Sequence, residues 1–191
     1  MAKNRRGQDT RERILQEVAP LLNQRGFANL SLADVLDATD LKKGGIYNHF
    51  ASKEDLALEA FAYMLQVQGD WIEARLASAQ SPRERLARFF DSFLAFLDDP
   101  PIPGGCAVFN LGLEADDQFP RLLQAASDAM RMLHGKVADT VREGQALDEF
   151  PQHWKPDEIA SLAFSLFEGA LGQTRVTGER VHMQLAVRHL K

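Results

Sequence analysis

The sequence predicts an all-α protein with an N-terminal three-helix helix-turn-helix head and a helical-bundle body of about six helices. Apolar residues recur at steps of three and four through most of the chain, and no segment shows the strict alternation of a half-buried strand. Helix-starting Ser and Pro residues and helix-ending Gly residues separate these periodic stretches. A length of 191 residues is enough to bury a large core.

The first two helices are delimited by local signals. The first is expected to begin near Asp9 and to end at Gly26, and its buried positions are Ile14, Val18, Leu21 and Leu22. A short second helix follows Ser31, whose hydroxyl can cap it while the Asp34 carboxylate reaches back. Asp40 suits the sharp bend after this helix, because aspartate tolerates the left-handed backbone conformation better than most residues.

The third helix combines features that favour contact with DNA. Lys42 and Lys43 fall in its first turn, where the helix dipole disfavours cations unless a negative group lies nearby. A DNA phosphate is such a group, and Gly44 and Gly45 leave room for close approach to it. The polar side chains that follow, Tyr47, Asn48 and His49, can hydrogen-bond phosphates or bases. A Lys-Lys-Gly-Gly stretch alone is typical of a solvated loop, so the prediction depends on its place in the helix-turn-helix pattern.

The same region resembles the tetracycline-repressor (TetR) family of transcriptional regulators. The resemblance lies in residues 10–15, 25–27 and 47–56 and at Leu41. It covers roughly the first quarter of the chain, beyond which only length and helical layout agree. Asp40 and Lys42 stand where the family usually has Gly and Ser. The residues that the resemblance and the local pattern assign to DNA are Ser31, Lys42, Lys43, Gly44, Gly45, Tyr47, Asn48, His49 and Lys53.

The resemblance implies a ligand- or redox-responsive regulator, a repressor in its usual form. It would bind a near-palindromic double-stranded DNA operator as a homodimer and be released by a small apolar or electrophilic effector. No catalytic residue, metal or cofactor is expected. The DNA-binding domain would span 1–52, with a flexible basic arm over residues 1–8, and residues 53–191 would sense the effector and dimerise.

The charge distribution agrees with a single DNA-facing end. The net charge is −5, but eight basic and six acidic side chains give residues 1–50 a net +2, which leaves −7 for the remainder. This balance argues against a protein that coats nucleic acid indiscriminately. No apolar run reaches the roughly 18 residues of a membrane helix, and the charged N-terminus lacks the apolar stretch of a secretory signal. We therefore expect a cytoplasmic protein.

The body is expected to contain helices separated by clear breaks, of which the Pro- and Gly-rich segment 100–105 is the strongest. Ten of the 12 Phe residues lie in the body, where packed helices can enclose an apolar effector, although core packing is the ordinary role of any one Phe. The predicted body helices run from Ser52 to about Ala79, from Ser81, from Cys106 to about Ala115, from Phe119, from Pro156 and from Gly178, with a loop over 144–155. The candidate effector residues are Cys106, Phe109, Asn110, Trp71, Phe93, Phe164 and Arg175.

Cys106 is the only cysteine, which excludes an internal disulfide and agrees with a reducing compartment. It is expected at a helix N-terminus, where the helix dipole stabilises a thiolate. Residues 105–114 resemble a Gly-Cys motif in a TetR subgroup that includes electrophile and oxidant sensors, but also drug and metabolite sensors. Three roles stay open: chemical sensing, with Arg175 as a cation beside the thiolate, lining of a ligand pocket, and inert packing.

The helix after Pro156 carries a regular apolar stripe interleaved with small residues. Its members are Ile159, Leu162, Ala163, Leu166 and Ala170. Such a stripe is either core or a subunit interface. Periodicity alone favours core, whereas the TetR resemblance favours a homodimer through residues 157–190, which would place two recognition helices about one DNA turn apart.

The alternative function is a Cys-dependent enzyme. Cys106 would be its nucleophile, with His134 or His153 as base and an acid such as Asp128 to orient that base. The sequence contains no nucleophile motif that supports this chemistry, and its five His residues have no metal-ligand spacing. We therefore expect a regulator.

Overall fold

The computed structural model describes residues 2–191, with side chains from Gly7 onward. Over this range the chain forms nine α-helices and no β-strand, which confirms the all-α fold. The helices are α1 (Ala2–Arg25), α2 (Leu32–Thr39), α3 (Lys43–Tyr47), α4 (Lys53–Leu76), α5 (Pro82–Asp98), α6 (Ala107–Ala115), α7 (Pro120–Ala146), α8 (Pro156–Thr177) and α9 (Val181–Leu190).

The start of α5 and the end of α8 show the capping chemistry that the sequence predicts. The Ser81 hydroxyl accepts a hydrogen bond from the Glu84 N–H at 3.2 Å, and Pro82 occupies the first turn of α5, where its missing N–H costs nothing. Helix α8 ends at Thr177, and the following Gly178 has a φ of 75°, the left-handed conformation typical of a glycine after a helix.

Three predicted helix boundaries are wrong. Helix α1 begins at Ala2 and not near Asp9, so residues 2–8 continue the helix where a flexible arm was expected. This segment is rich in Lys, Arg and Gln, which are good helix formers. The arm's side chains before Gly7 lie outside the described residues. Helix α4 stops at Leu76, and α7 continues to Ala146, which shortens the loop before α8.

The helices fall into two compact units. Unit 1 contains the chain up to Gln68 together with Ile102–Ser127, and unit 2 contains Gly69–Pro101 and Asp128–Lys191. Unit 1 therefore combines the predicted head with most of α4, all of α6 and the start of α7. The domain boundary after residue 52 stays a prediction. The core of unit 1 is formed by apolar side chains from six helices, among them Ile14, Val18, Leu22, Val35, Ile46, Phe61, Met64, Val108 and Leu122.

Unit 2 has an aromatic interior. Helix α9 packs against α8 and α5. The rings of Phe93 and Phe167 lie 4.4 Å apart, and the His134 ring stacks on Phe164 at 5.0 Å. The Trp71 ring meets Phe96 edge-on at 6.0 Å. Among the described residues, no helix combines the length and the apolar character that crossing a membrane requires.

Candidate nucleic-acid interface

The start of α2 is held by the predicted capping box. The Asp34 N–H donates to the Ser31 hydroxyl at 3.1 Å, and the Ser31 N–H donates to the Asp34 carboxylate at 2.8 Å. The Ser31 hydroxyl and N–H, with a further ion pair from Arg25, hold the pKa of Asp34 below its ordinary value. These bonds satisfy N–H groups that a helix N-terminus otherwise leaves open.

The turn between α2 and α3 has the geometry expected at Asp40. Asp40 has φ 53° and ψ 34°, the left-handed conformation that aspartate tolerates. Lys42 precedes α3 in an extended conformation and makes no side-chain cap, since a lysine has no group that can accept a hydrogen bond. The Lys42 ammonium therefore does not cap the N-terminus of α3.

One side of α3 is exposed and its other side is anchored in unit 1. Ile46 and the following Phe50 are buried. The exposed residues, here called the α3 surface, are Lys42, Lys43, Gly44, Tyr47 and Asn48. A Cβ built on Gly44 would meet no atom within 4 Å, so the backbone is open to close approach there. The Lys43 ammonium lies 5.8 Å from the centre of the Tyr47 ring.

The other predicted DNA-binding residues lie at the edge of this surface or are already engaged. Gly45 and His49 are half-buried, and a Cβ on Gly45 would lie 3.5 Å from the Leu41 side chain. The Ser31 hydroxyl belongs to the capping box. The Lys53 ammonium lies 4.5 Å above the Phe27 ring, a cation–π contact within unit 1. Their part in DNA contact stays a prediction.

A cluster of polar contacts that no sequence pattern indicates connects α6 to the end of α1. The Glu114 carboxylate accepts hydrogen bonds from the N–H groups of Phe27 and Ala28. Asn110 donates to the Asn23 side chain at 3.0 Å. These partners are 86 or 87 residues apart, so no local sequence signal could have paired them.

The candidate effector residues divide between the two units. Cys106, Phe109 and Asn110 belong to unit 1, whereas Trp71, Phe93, Phe164 and Arg175 belong to unit 2. Cys106 occupies the N-cap position of α6, as predicted, and is only 9% exposed. Phe109 is exposed on α6, Phe93 and Phe164 are buried in the aromatic interior, and Arg175 is exposed on α8.

Two protein-family models match the sequence of this chain, and the first of them covers the helix-turn-helix that carries the α3 surface. Residues 14–60 match the model for bacterial regulatory proteins of the tetR family, and residues 82–190 match the tetracyclin repressor-like C-terminal domain. The chain belongs to the TetR family. It is a DNA-binding transcriptional regulator and not an enzyme, which excludes the Cys-dependent alternative.

Several TetR-family proteins are similar along nearly the whole chain. A TetR regulator from Chloroflexus aurantiacus is 33% identical with a TM-score of 0.92, covering 97% of this chain and 94% of the other. The repressor NemR from Escherichia coli K12 is 22% identical over 96% of this chain and 92% of its own. A cysteine mutant of the TetR-family regulator CifR, solved with operator DNA, is 24% identical with a TM-score of 0.82, covering 93% of each chain.

Proposed function

We propose that this TetR-family regulator is a homodimeric repressor whose α3 surface contacts a near-palindromic operator. The observation that carries the proposal is the α3 surface itself. Two exposed lysines, an open glycine backbone and hydrogen-bonding Tyr and Asn side chains lie together on a helix whose opposite side is buried. A solvated loop would lack that anchored side. NemR is named a repressor and the CifR mutant was solved with operator DNA, which supports the proposal.

The groups on the α3 surface suit contacts to phosphates, to a base edge and to the DNA backbone at close range. The ammonium groups of Lys42 and Lys43 and the Tyr47 hydroxyl suit phosphate oxygens, which fix the protein on the duplex. The Asn48 amide suits an adenine edge in the major groove, where it can donate and accept at once. Gly44 lets the helix backbone approach the DNA, because no side chain intervenes.

The proposed homodimer interface is the exposed face of α8 and α9. The predicted stripe of α8 divides in two: Ala163 and Ala170 are buried in unit 2, whereas Leu162 and Leu166 are exposed. The exposed leucines continue through positions at steps of three and four, namely Gly169, Gln173 and Val176. On α9, Val181 and Leu185 are exposed as well. An exposed apolar stripe with small residues suits packing against a second copy of the same helices.

The proposed effector is a small apolar or electrophilic molecule. Cys106 begins α6, which carries the contacts to the end of α1, so a change at the thiol would act on an element bound to the head. An effector releases DNA only if it binds the DNA-incompetent state more tightly than the DNA-competent one. The aromatic interior of unit 2 offers apolar surface for reversible effectors.

The proposal is tested by substituting the α3 surface. A duplex is first selected by the parent protein from a random-sequence DNA library. Lys43→Ala and Tyr47→Ala should each weaken binding to that duplex, and Lys43→Ala should also reduce the slope of the salt dependence by about one, because a phosphate contact is lost. Lys136→Ala removes the same charge from an exposed site in unit 2 and should leave affinity within about twofold. Parent-like affinity in both α3 variants would refute the assignment.

A further inference from the structure

We propose that Glu114, which lies in α6 outside the helix-turn-helix segment, is a positioning residue for operator binding. Its carboxylate holds the connection between α1 and α2, and this connection sets where the helix-turn-helix begins. The inference rests on the proposed role of the α3 surface. It adds a residue that makes no DNA contact of its own.

The geometry of the connection makes it dependent on Glu114. Gly26 follows α1 with φ 80°, and its N–H donates to the Leu22 carbonyl at 2.9 Å. The next two N–H groups leave the helix and donate to the Glu114 carboxylate, from Phe27 at 2.6 Å and from Ala28 at 2.8 Å. Hydrogen bonds to a carboxylate are stronger than those between neutral groups. A Cβ on Gly26 would lie 2.7 Å from this carboxylate, so the glycine permits the approach.

A second contact fixes α6 against the same end of α1. Asn110 and Glu114 are four residues apart and therefore share a face of α6. The Asn110 amide donates to the Asn23 side-chain oxygen at 3.0 Å, and the Asn23 amide donates to the Gly105 carbonyl at 3.0 Å. Asn23 is itself buried. Helix α6 is therefore fixed to the end of α1 independently of Glu114. If residues 27–28 moved, the Glu114 carboxylate could not easily move with them.

The connection leads directly into the DNA-binding helices. The Leu30 N–H donates to the Gly26 carbonyl at 3.1 Å, and the buried Leu30 side chain precedes Ser31, the cap of α2. Helix α2 packs in turn against α3. The ring of Phe27 is also held, 4.8 Å from the Phe119 ring. Release of the two N–H groups would let α2 start in more than one position, and the α3 surface would move with it.

Charge alone predicts the opposite sign for a substitution of Glu114. Removal of a carboxylate makes a DNA-binding protein less negative, which by itself strengthens binding to phosphates. A weaker complex therefore reports lost positioning. Asp117→Asn is the matched control, because it removes an exposed carboxylate just after α6. It leaves intact the clamp formed by the Glu114 carboxylate and the N–H groups of Phe27 and Ala28.

The test measures the affinity of the full-length parent, E114Q, E114A and D117N for the duplex selected by the parent. We expect E114Q to raise Kd about tenfold, E114A to raise it at least as much, and D117N to leave it unchanged or lower. The salt dependence should keep the parent's slope, because no phosphate contact is removed. In E114Q, amide hydrogen exchange should accelerate at Phe27 and Ala28 and stay unchanged in α8 and α9.

The variants also separate positioning from general loss of stability. If E114A does not fold, E114Q and its hydrogen exchange decide the matter. E114Q binding the duplex as tightly as D117N would overturn the proposal, as would unchanged exchange at Phe27 and Ala28, or equal acceleration throughout both units. Parent-like binding by Lys43→Ala and Tyr47→Ala would instead count against the proposed DNA surface, while the exchange measurement still tests the clamp.

Discussion

Substitution of Leu166 by Glu is expected to convert the protein from dimer to monomer. Four apolar side chains of α8 and α9 are partly exposed, namely Leu162 (58%), Leu166 (36%), Val181 (44%) and Leu185 (44%). Their summed exposed fraction corresponds to about two fully exposed side chains per protomer. Burial of about four such equivalents in a dimer, at about 1.5–3 kcal/mol each, contributes about 6–12 kcal/mol. In a homodimer with a two-fold axis Leu166 contributes to this burial from both protomers, so one substitution changes the interface twice.

Leu166→Glu removes apolar contact and introduces a carboxylate that the interface would have to desolvate in both protomers. An unpaired charge buried in this way costs about 3–5 kcal/mol, which raises the dimer Kd by at least about 100-fold. Sedimentation velocity over a range of concentrations measures this shift, and circular dichroism checks that the monomer is folded. Leu147→Glu is the control, since Leu147 is an exposed leucine in the loop after α7. A Leu166→Glu protein that dimerises like the parent would refute the interface on α8 and α9.

Four further results are expected. Gly26→Ala, which combines φ 80° with a Cβ 2.7 Å from Glu114, should lower stability by about 1–2 kcal/mol, and an unchanged Tm in calorimetry would contradict this. Gly44→Ala should keep or raise the parent's Tm, because its Cβ meets no neighbour and Ala favours a helix more than Gly does, yet it should weaken DNA binding; unchanged affinity would argue against close approach. Since the folded pKa of Asp34 is lowered, its stabilisation is complete above the ordinary value of about 3.9 and is lost as pH falls further; Asp34→Asn should therefore show a flatter loss of stability in acid, and a profile equal to the parent's would contradict it. N-ethylmaleimide should release DNA from the parent but not from Cys106→Ser, and equal release would place sensing away from the thiol.

The features that the sequence predicts well depend on residues close together in the chain. Ser31 and Asp34 form the capping box within one helical turn. Asp40 adopts the left-handed conformation because the bend itself requires it. Cys106 begins α6 because a Pro- and Gly-rich segment ends just before it. These are local backbone requirements, so local patterns are enough to find them.

The sequence does not predict contacts between residues that are distant in the chain. It also does not predict which apolar side chains of a helix are buried by neighbouring helices. Glu114 lies 87 residues from Phe27, and a glutamate in a helix carries no signal of its partner. Periodicity likewise treats the stripe of α8 as one face, although Ala163 is buried and Leu162 is exposed. Only tertiary packing separates the two. The predicted start of α1 near Asp9 is wrong, because the helix extends beyond Asp9 to Ala2.

Two copies of this chain are proposed to contact DNA through their α3 surfaces. The most direct test is the set of DNA sequences that the parent enriches from a random library. A dimer with two recognition helices in successive major grooves predicts two inverted half-sites centred about 10 base pairs apart. The same selection with Lys43→Ala should enrich this sequence weakly or not at all. An asymmetric single site, or enrichment that does not depend on the α3 surface, would contradict the account.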